Sequence, residues 1–332
     1  MLTPRQNALE VIKGGNPDRF IKQYEPFYLS FMNDPLSASG QPMGPGLDWV
    51  NLWGVSYSWP DWAPGGMPIH TEETIVLKDI NDWQEVIVPK APDYNAFVDA
   101  DYADYIAFAE QCDREAQWLT MGMAPGLFEQ TCHFLGMENG LMTILTEPVK
   151  VKAMVEWLVD WEIGYAKTLI DRIHPDALFH HDDWGTQIST LISPDCFREI
   201  YLPAYKRLYG WYKDNGIELV VHHCDSWGAS LVPMMIEMGV DIWQGCMSTN
   251  DLPSLVRQFG PQITFMGGID NGIVDRVDWT PELVMREVRF QCENNGRLYF
   301  IPCTTHGLNF ANYPGVYDEV DKCIEIMTSE MF

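Results

Sequence analysis

The sequence predicts a (β/α)8 barrel of the TIM-barrel class, built as one domain over residues 1–332. Three observations predict it. Short β-branched and aromatic runs recur from residue 117 onward, each bounded by turn residues. Amphipathic stretches of helical length separate them, so successive strands run parallel with crossover helices between. His, Cys and Asp gather where those runs end, the position at which a barrel carries its chemistry.

Taken in order, the chain opens with a helix over 4–14 and an aromatic run, YEPFYLSFM, at 24–32. A Pro/Gly/Trp-rich stretch follows, and residues 1–100 form an irregular N-terminal lid that belongs to the barrel. Two of the eight strands must lie in this part. The stretch is too aromatic for a disordered linker, and Trp53, Trp59 and Trp62, with Trp184, Trp227 and Trp243 further on, are candidate cleft walls. A helix over 102–115 precedes the strand at 117–123, and helices span 136–146 and 148–171. Strands at 177–183, 217–224, 241–247, 263–269 and 298–303 then alternate with helices at 193–216, 226–239, 251–260, 280–296 and 314–330. An open doubly wound sheet is the alternative. No Gly-x-Gly-x-x-Gly or Walker-type loop follows a strand, and Met266-Gly267-Gly268 reads as a tight strand exit, so a nucleotide is not expected.

Against 47 Asp plus Glu stand 21 Lys plus Arg, a net charge of −26 that repels nucleic acid and anionic membranes. No 18-residue apolar run exists and no apolar segment follows Arg5, so neither a membrane span nor a signal peptide is expected and the location is cytoplasmic. The eight cysteines lack framework spacing and read as reduced thiols. A homodimer is compatible with all this, and the sequence leaves the oligomeric state open.

Two strand ends dominate the chemistry. In IELVVHHCDSWG, His222 and Cys224 are two apart and share a strand face, while His223 points to the other. Cys303 ends the last strand, and with His222 and Cys224 it makes a soft N/S set suited to Zn2+ with one open position. Cys246 competes with Cys303 for the third place. The second cluster is His180-His181-Asp182-Asp183. Asp182, His181 and Asp183 are the candidate catalytic groups, as acid, base or further metal ligand. Tyr24, Glu25, His180, Trp184, His223 and His306 are candidates for substrate binding; Glu129 and Asp270 are weaker.

These residues resemble the uroporphyrinogen decarboxylase superfamily, and within it the zinc- and corrinoid-dependent methyltransferases. The likeness rests on His222-x-Cys224, Gly239-Val240-Asp241, Gly267-Gly268-Ile269 and Cys303 in that order. Asn16-Pro17-Asp18-Arg19, Gly126-Leu127-Phe128-Glu129, Gly136-Met137-Glu138 and Ile192-Ser193-Pro194 with Phe197 and Pro203 add to it. The resemblance implies a barrel with zinc on His222, Cys224 and Cys303. It further implies methyl transfer between a small methylated substrate and a corrinoid (cobalamin) held on a partner protein. The decarboxylase branch carries an arginine-rich N-terminal motif, whereas Tyr24-Glu25-Pro26-Phe27-Tyr28-Leu29 has no Arg. That departure argues against a polycarboxylate substrate; with an aromatic-rich N-terminal region and no Arg or Lys at a strand end to take a sulfonate, the expected reaction is O-demethylation of an aryl methyl ether. The alternatives are methylcorrinoid:thiol transfer of the coenzyme M type, decarboxylation, and a non-catalytic accessory barrel.

Overall fold

The structure, a computed structural model, describes residues 1–332 except 32, 62 and 64. The strands among the described residues are β1 (Phe27–Ser30), β2 (Leu47–Val50), β3 (Ser56–Trp59), β4 (Met67–Pro68), β5 (Trp118–Met123), β6 (Ala177–His181), β7 (Leu219–His223), β8 (Ile242–Cys246), β9 (Thr264–Ile269) and β10 (Phe300–Thr304). Seven of them form one curled parallel sheet in the order β1-β5-β6-β7-β8-β9-β10. All six strands expected beyond residue 100 are in it, each reached from the last through a crossover helix.

The expected eighth strand is not in this sheet. Residues 47–68 instead hold β2, β3 and β4, a separate antiparallel sheet in the lid. Only Asn51 to Val55 connect β2 to β3, with Gly54 turning at φ +83°. A link that short permits an antiparallel pair and no parallel crossover. Trp62 lies outside the described residues.

Among the described residues β10 and β1 share no ladder, and a side chain spans the seam between them. Gln23 accepts from the Thr304 backbone N–H at 3.2 Å and from its hydroxyl at 3.0 Å. Its amide donates to Asp321 at 2.9 Å and to the Tyr317 carbonyl at 3.5 Å. Gln23 is fully buried and holds a left-handed φ of 48°, an uncommon conformation for a residue other than glycine.

Both faces of the sheet are buried. Ala177 and Phe179, Leu219 and Val221, Ile242, Met266, Ile301 and Cys303 fill the inside of the curl. Leu178, Val220, Trp243 and Cys224 face the helices outside. The long outer helices Pro148–Ile173 and Pro194–Asp214 cover β6 and β7, the second with Tyr201, Tyr205, Tyr209 and Tyr212 on its buried side. A helix the sequence reading left out, Leu127–Leu135, follows β5 and ends at Gly136, whose φ is +78°. The expected helix over 226–239 shortens to a 3₁₀ turn at Ala229–Leu231 and the helix Val232–Met238. No helix among the described residues is long and apolar enough to cross a membrane.

Replacing Gln23 by Leu keeps the volume and strips Thr304 of its acceptor. A loss of about 1–3 kcal/mol is expected, read as a lower urea midpoint with an unchanged m-value; an unchanged midpoint would show that the seam needs no bridge.

Candidate functional site

Strand alternation divides the two polar clusters. β6 and β7 pair in register, His180 with His222 and His181 with His223, so both strands change face in step. His180 turns outward to Glu162 of the helix Pro148–Ile173 at 3.1 Å, and Tyr212 donates to the same carboxylate at 3.0 Å. His222 also turns outward: its Nδ1 lies 2.7 Å from the Tyr209 hydroxyl and its ring stacks on Trp184 at 4.0 Å. Asp182 points the same way. It accepts from the Phe128 and Glu129 N–H groups at 2.9 and 2.8 Å, from Trp184 Nε1 at 2.9 Å and from the Tyr205 hydroxyl. The Phe128 and Glu129 N–H groups belong to the first turn of the helix Leu127–Leu135, so Asp182 is its buried cap.

The other phase faces the mouth of the curl. His181 and His223 stack with centroids 4.4 Å apart, and Asp183 follows His181 as Asp225 follows His223. Asp183 Oδ1 accepts from the Asp225 N–H at 2.8 Å. His181 Nε2 is 4.0 Å from Asp183 Oδ2, and His223 Nε2 is 3.9 Å from Asp183 Oδ1. Each ring is held from behind. Glu129, placed by the helix that Asp182 caps, meets His181 Nδ1 at 3.0 Å. Gln244 accepts from His223 Nδ1. Its amide nitrogen donates to the Thr304 and His306 carbonyls at 3.3 and 3.5 Å, which turns its oxygen toward His223.

The charges of this mouth are crowded. Burial pushes Glu129 up to about 7, against the pull of His181. Burial and the Asp183 charge push Asp225 up to about 8. Burial lowers His181, but Glu129 and Asp183 outweigh it and raise the imidazole to about 10. Burial, with the charge of His181, pushes His223 down to about 4. Among the described residues no Lys or Arg pairs with Glu129, Asp183 or Asp225; histidines pair with the first two.

The thiols lie elsewhere. Cys224 is in the outer layer, where its sulfur accepts from the Trp184 N–H at 3.4 Å and lies 2.8 Å from Ser226 Oγ. Cys246 is in that layer too and donates to the Trp243 carbonyl at 3.1 Å. Cys303 packs inside the curl, 4.0 Å from Gln244 Nε2. The sheet thus stands between Cys303 and the pair His222 and Cys224, and the expected zinc set is not brought together. His180, Asp182 and Trp184 are sealed behind the sheet rather than open to a substrate.

Tyr24 and His306 border the mouth. Tyr24 donates to the His306 carbonyl at 3.4 Å, and its ring lies 6.1 Å from that of Phe179. The loop carrying His306 is pinned by Asn271, which accepts from the Thr305 and His306 N–H groups at 2.8 and 3.1 Å. Glu25 is taken up by Arg19 at 3.0 Å. It lines a cleft of about 590 Å³ along the flank of β1, which also includes Tyr28, Phe108 and Tyr317. That cleft is lined by none of His181, Asp183 or His223, and Lys22 within it is already paired with Glu325 at 2.7 Å. The His/Asp cluster is therefore the better place for chemistry. Asp225 and Gln244 escaped the sequence reading; a readable signal for Asp225 was the repeat of His-x-Asp at 181/183 and 223/225.

The uroporphyrinogen decarboxylase (URO-D) family pattern matches residues 73–311, which contain the whole cluster. A methylated-thiol–coenzyme M methyltransferase of Methanosarcina mazei is 29% identical over 160 residues, 47% of this chain. The match spans 40% of that relative's length. A solved methyltransferase structure from Methanosarcina mazei shares the fold, with a TM-score of 0.65 over 99% of both chains at 12% identity.

Asp182→Ala is expected to destabilise the protein by about 3 kcal/mol, since it leaves several buried donors unpaired. Asp183→Ala, at the open mouth, is expected to cost under about 1 kcal/mol. Urea denaturation of the two variants checks the order; equal losses would contradict the division between cap and mouth.

Proposed function

The chain belongs to the uroporphyrinogen decarboxylase family, and on that footing we propose that it is a methyltransferase. It takes a methyl group from a small uncharged methylated substrate, an aryl methyl ether in the reading favoured here. It passes that methyl to a corrinoid carried by a partner protein. One observation carries the choice: the mouth holds Glu129, Asp183 and Asp225 beside two histidines, with no Lys or Arg paired to those carboxylates among the described residues. A substrate with several carboxylates would meet like charge there, and the one cationic group, His181, is already taken by Glu129 and Asp183. That weighs against porphyrinogen decarboxylation.

The walls suit an aromatic guest. Phe179 stacks toward His223 with centroids 5.9 Å apart, and Phe31 meets Phe179 edge-on at 5.4 Å. With Tyr24 they make a buried aromatic layer against His223 that would keep water from the scissile bond. The methyl–oxygen bond breaks with its electron pair left on oxygen, and that oxygen develops negative charge. The side chain placed to meet it is His181, whose Nε2 faces the mouth while Glu129 holds the ring at Nδ1 and the neighbouring carboxylates keep the imidazole charged; His223, its proton held on Nδ1 by Gln244, stacks beside it. A reduced corrinoid on a partner protein would supply the nucleophile that takes the methyl group. Zinc on His222, Cys224 and Cys303 does not fit the placement of those residues, and no step runs through it.

Methyl transfer involving a thiol is the second reading, favoured by the similarity to a coenzyme M methyltransferase. A sulfonate-tailed thiol would need a cationic side chain beside the cluster, and none pairs there among the described residues.

Mixing the protein with a reduced corrinoid carrier and a neutral methoxyarene should convert the Co(I) spectrum to that of methyl-Co(III). A ring-carboxylated analogue is expected to show a kcat/KM at least about tenfold lower, a difference of roughly 1.4 kcal/mol. Turnover confined to a thiol would favour the second reading; no methyl–cobalt with any donor would favour decarboxylation or an accessory role.

A further inference from the structure

We propose that His181, Asp183 and His223 bind a zinc ion through nitrogen and oxygen alone, in place of the His-x-Cys…Cys set that the family resemblance implies. One donor atom from each of the three lies within 4.8 Å of those of the others. Two histidines and a carboxylate are an established zinc donor set that leaves a coordination position open.

Three further features are those of a prepared site. Glu129 and Gln244 engage the Nδ1 atoms, and the Gln244 oxygen fixes the His223 proton there, leaving its Nε2 lone pair toward Asp183. Backing of this kind, a carboxylate on one ligand ring and an amide oxygen on the other, is what orients metal-bound imidazoles. The His223 ring is also clamped. A Cβ at Gly307 would come within 2.9 to 3.1 Å of its atoms, and one at Gly245, where φ is +88°, within 3.0 Å of Cε1. Two glycines therefore let the backbone close on the ring, which leaves it little choice of direction. Finally, Glu129, Asp183 and Asp225 share one small mouth without a paired Lys or Arg among the described residues, a concentration of negative charge that a divalent cation would offset.

The thiols do not compete. Cys224 is spent on the Trp184 N–H and Ser226 behind the sheet, and Cys303, although inside the curl, lies 4.0 Å from Gln244 Nε2 and is not among the donors that converge with His181, Asp183 and His223. A set without sulfur is harder than a thiolate set and suits polarising an oxygen more than holding a thiolate. That last consequence rests on the methyltransferase reading; the place of the ion does not.

The test uses the full chain, stripped with chelator and titrated with zinc against a competing indicator, together with X-ray absorption at the zinc edge. One equivalent is expected, with a first shell of nitrogen and oxygen near about 2.0–2.2 Å and no sulfur near about 2.3 Å. Asp183→Ala and His223→Ala should each weaken zinc at least about 100-fold, and Gln244→Leu about 10–100-fold with an unchanged circular dichroism spectrum. The double variant Cys224→Ala, Cys303→Ala should retain wild-type affinity. Sulfur in the shell, loss of zinc from the cysteine variant, or no binding by the wild-type chain would each overturn the site. Zinc bound through nitrogen and oxygen in a protein that never methylates cobalt would uphold the site and overturn the methyltransferase reading.

Discussion

The constraint on which the rest depends is the shared phase of β6 and β7. A strand presents alternate residues to opposite faces, and a one-residue slip reverses every one of them. The ladder pairs His181 with His223 and places both at the mouth. Asp183 and Asp225 must then join them, and His180, His222, Asp182 and Cys224 must turn toward the helices. One register thus decides which polar residues are chemical and which are structural.

The outward residues are not idle. Glu162 takes His180 and Tyr212, Tyr209 takes His222, and Asp182 gathers the start of the helix Leu127–Leu135. Each satisfies polar groups that would be costly to leave unpaired in a dry layer. The cap also has a direct consequence for the mouth. By fixing the first turn of that helix, Asp182 places Glu129 against His181. The buried face and the open face are coupled through one turn of backbone, so a structural carboxylate sets the geometry of a chemical one.

Much of the fold was legible in the sequence. The six strands from β5 to β10 announce themselves as apolar runs between turn residues, and the long outer helices show their periodicity. Seven strands rather than eight were not legible, because the lid's aromatic runs resemble strands whichever sheet they join. The closure by Gln23 left no pattern, since it depends on one side chain reaching across a seam. The site was half legible. That chemistry sits at the ends of β6 and β7 follows from the residue types there. Which phase faces inward does not, because both faces of these strands are buried and the apolar run before His222 is continuous. The spacing His222-x-Cys224 is as good a face pair as His223-x-Asp225, and only the packed helices break the tie. Glu129 and Gln244 come from other elements, which spacing within one strand cannot reach.

The claim that the inward phase carries the chemistry is tested most directly by anomalous scattering at the zinc edge from crystals of the zinc-loaded protein. One peak is expected at the mouth, within bonding distance of His181 Nε2, Asp183 and His223 Nε2. A peak bonded to the sulfurs of Cys224 and Cys303, with His222 turned inward, would mean that the phase of β7 is reversed and would contradict it.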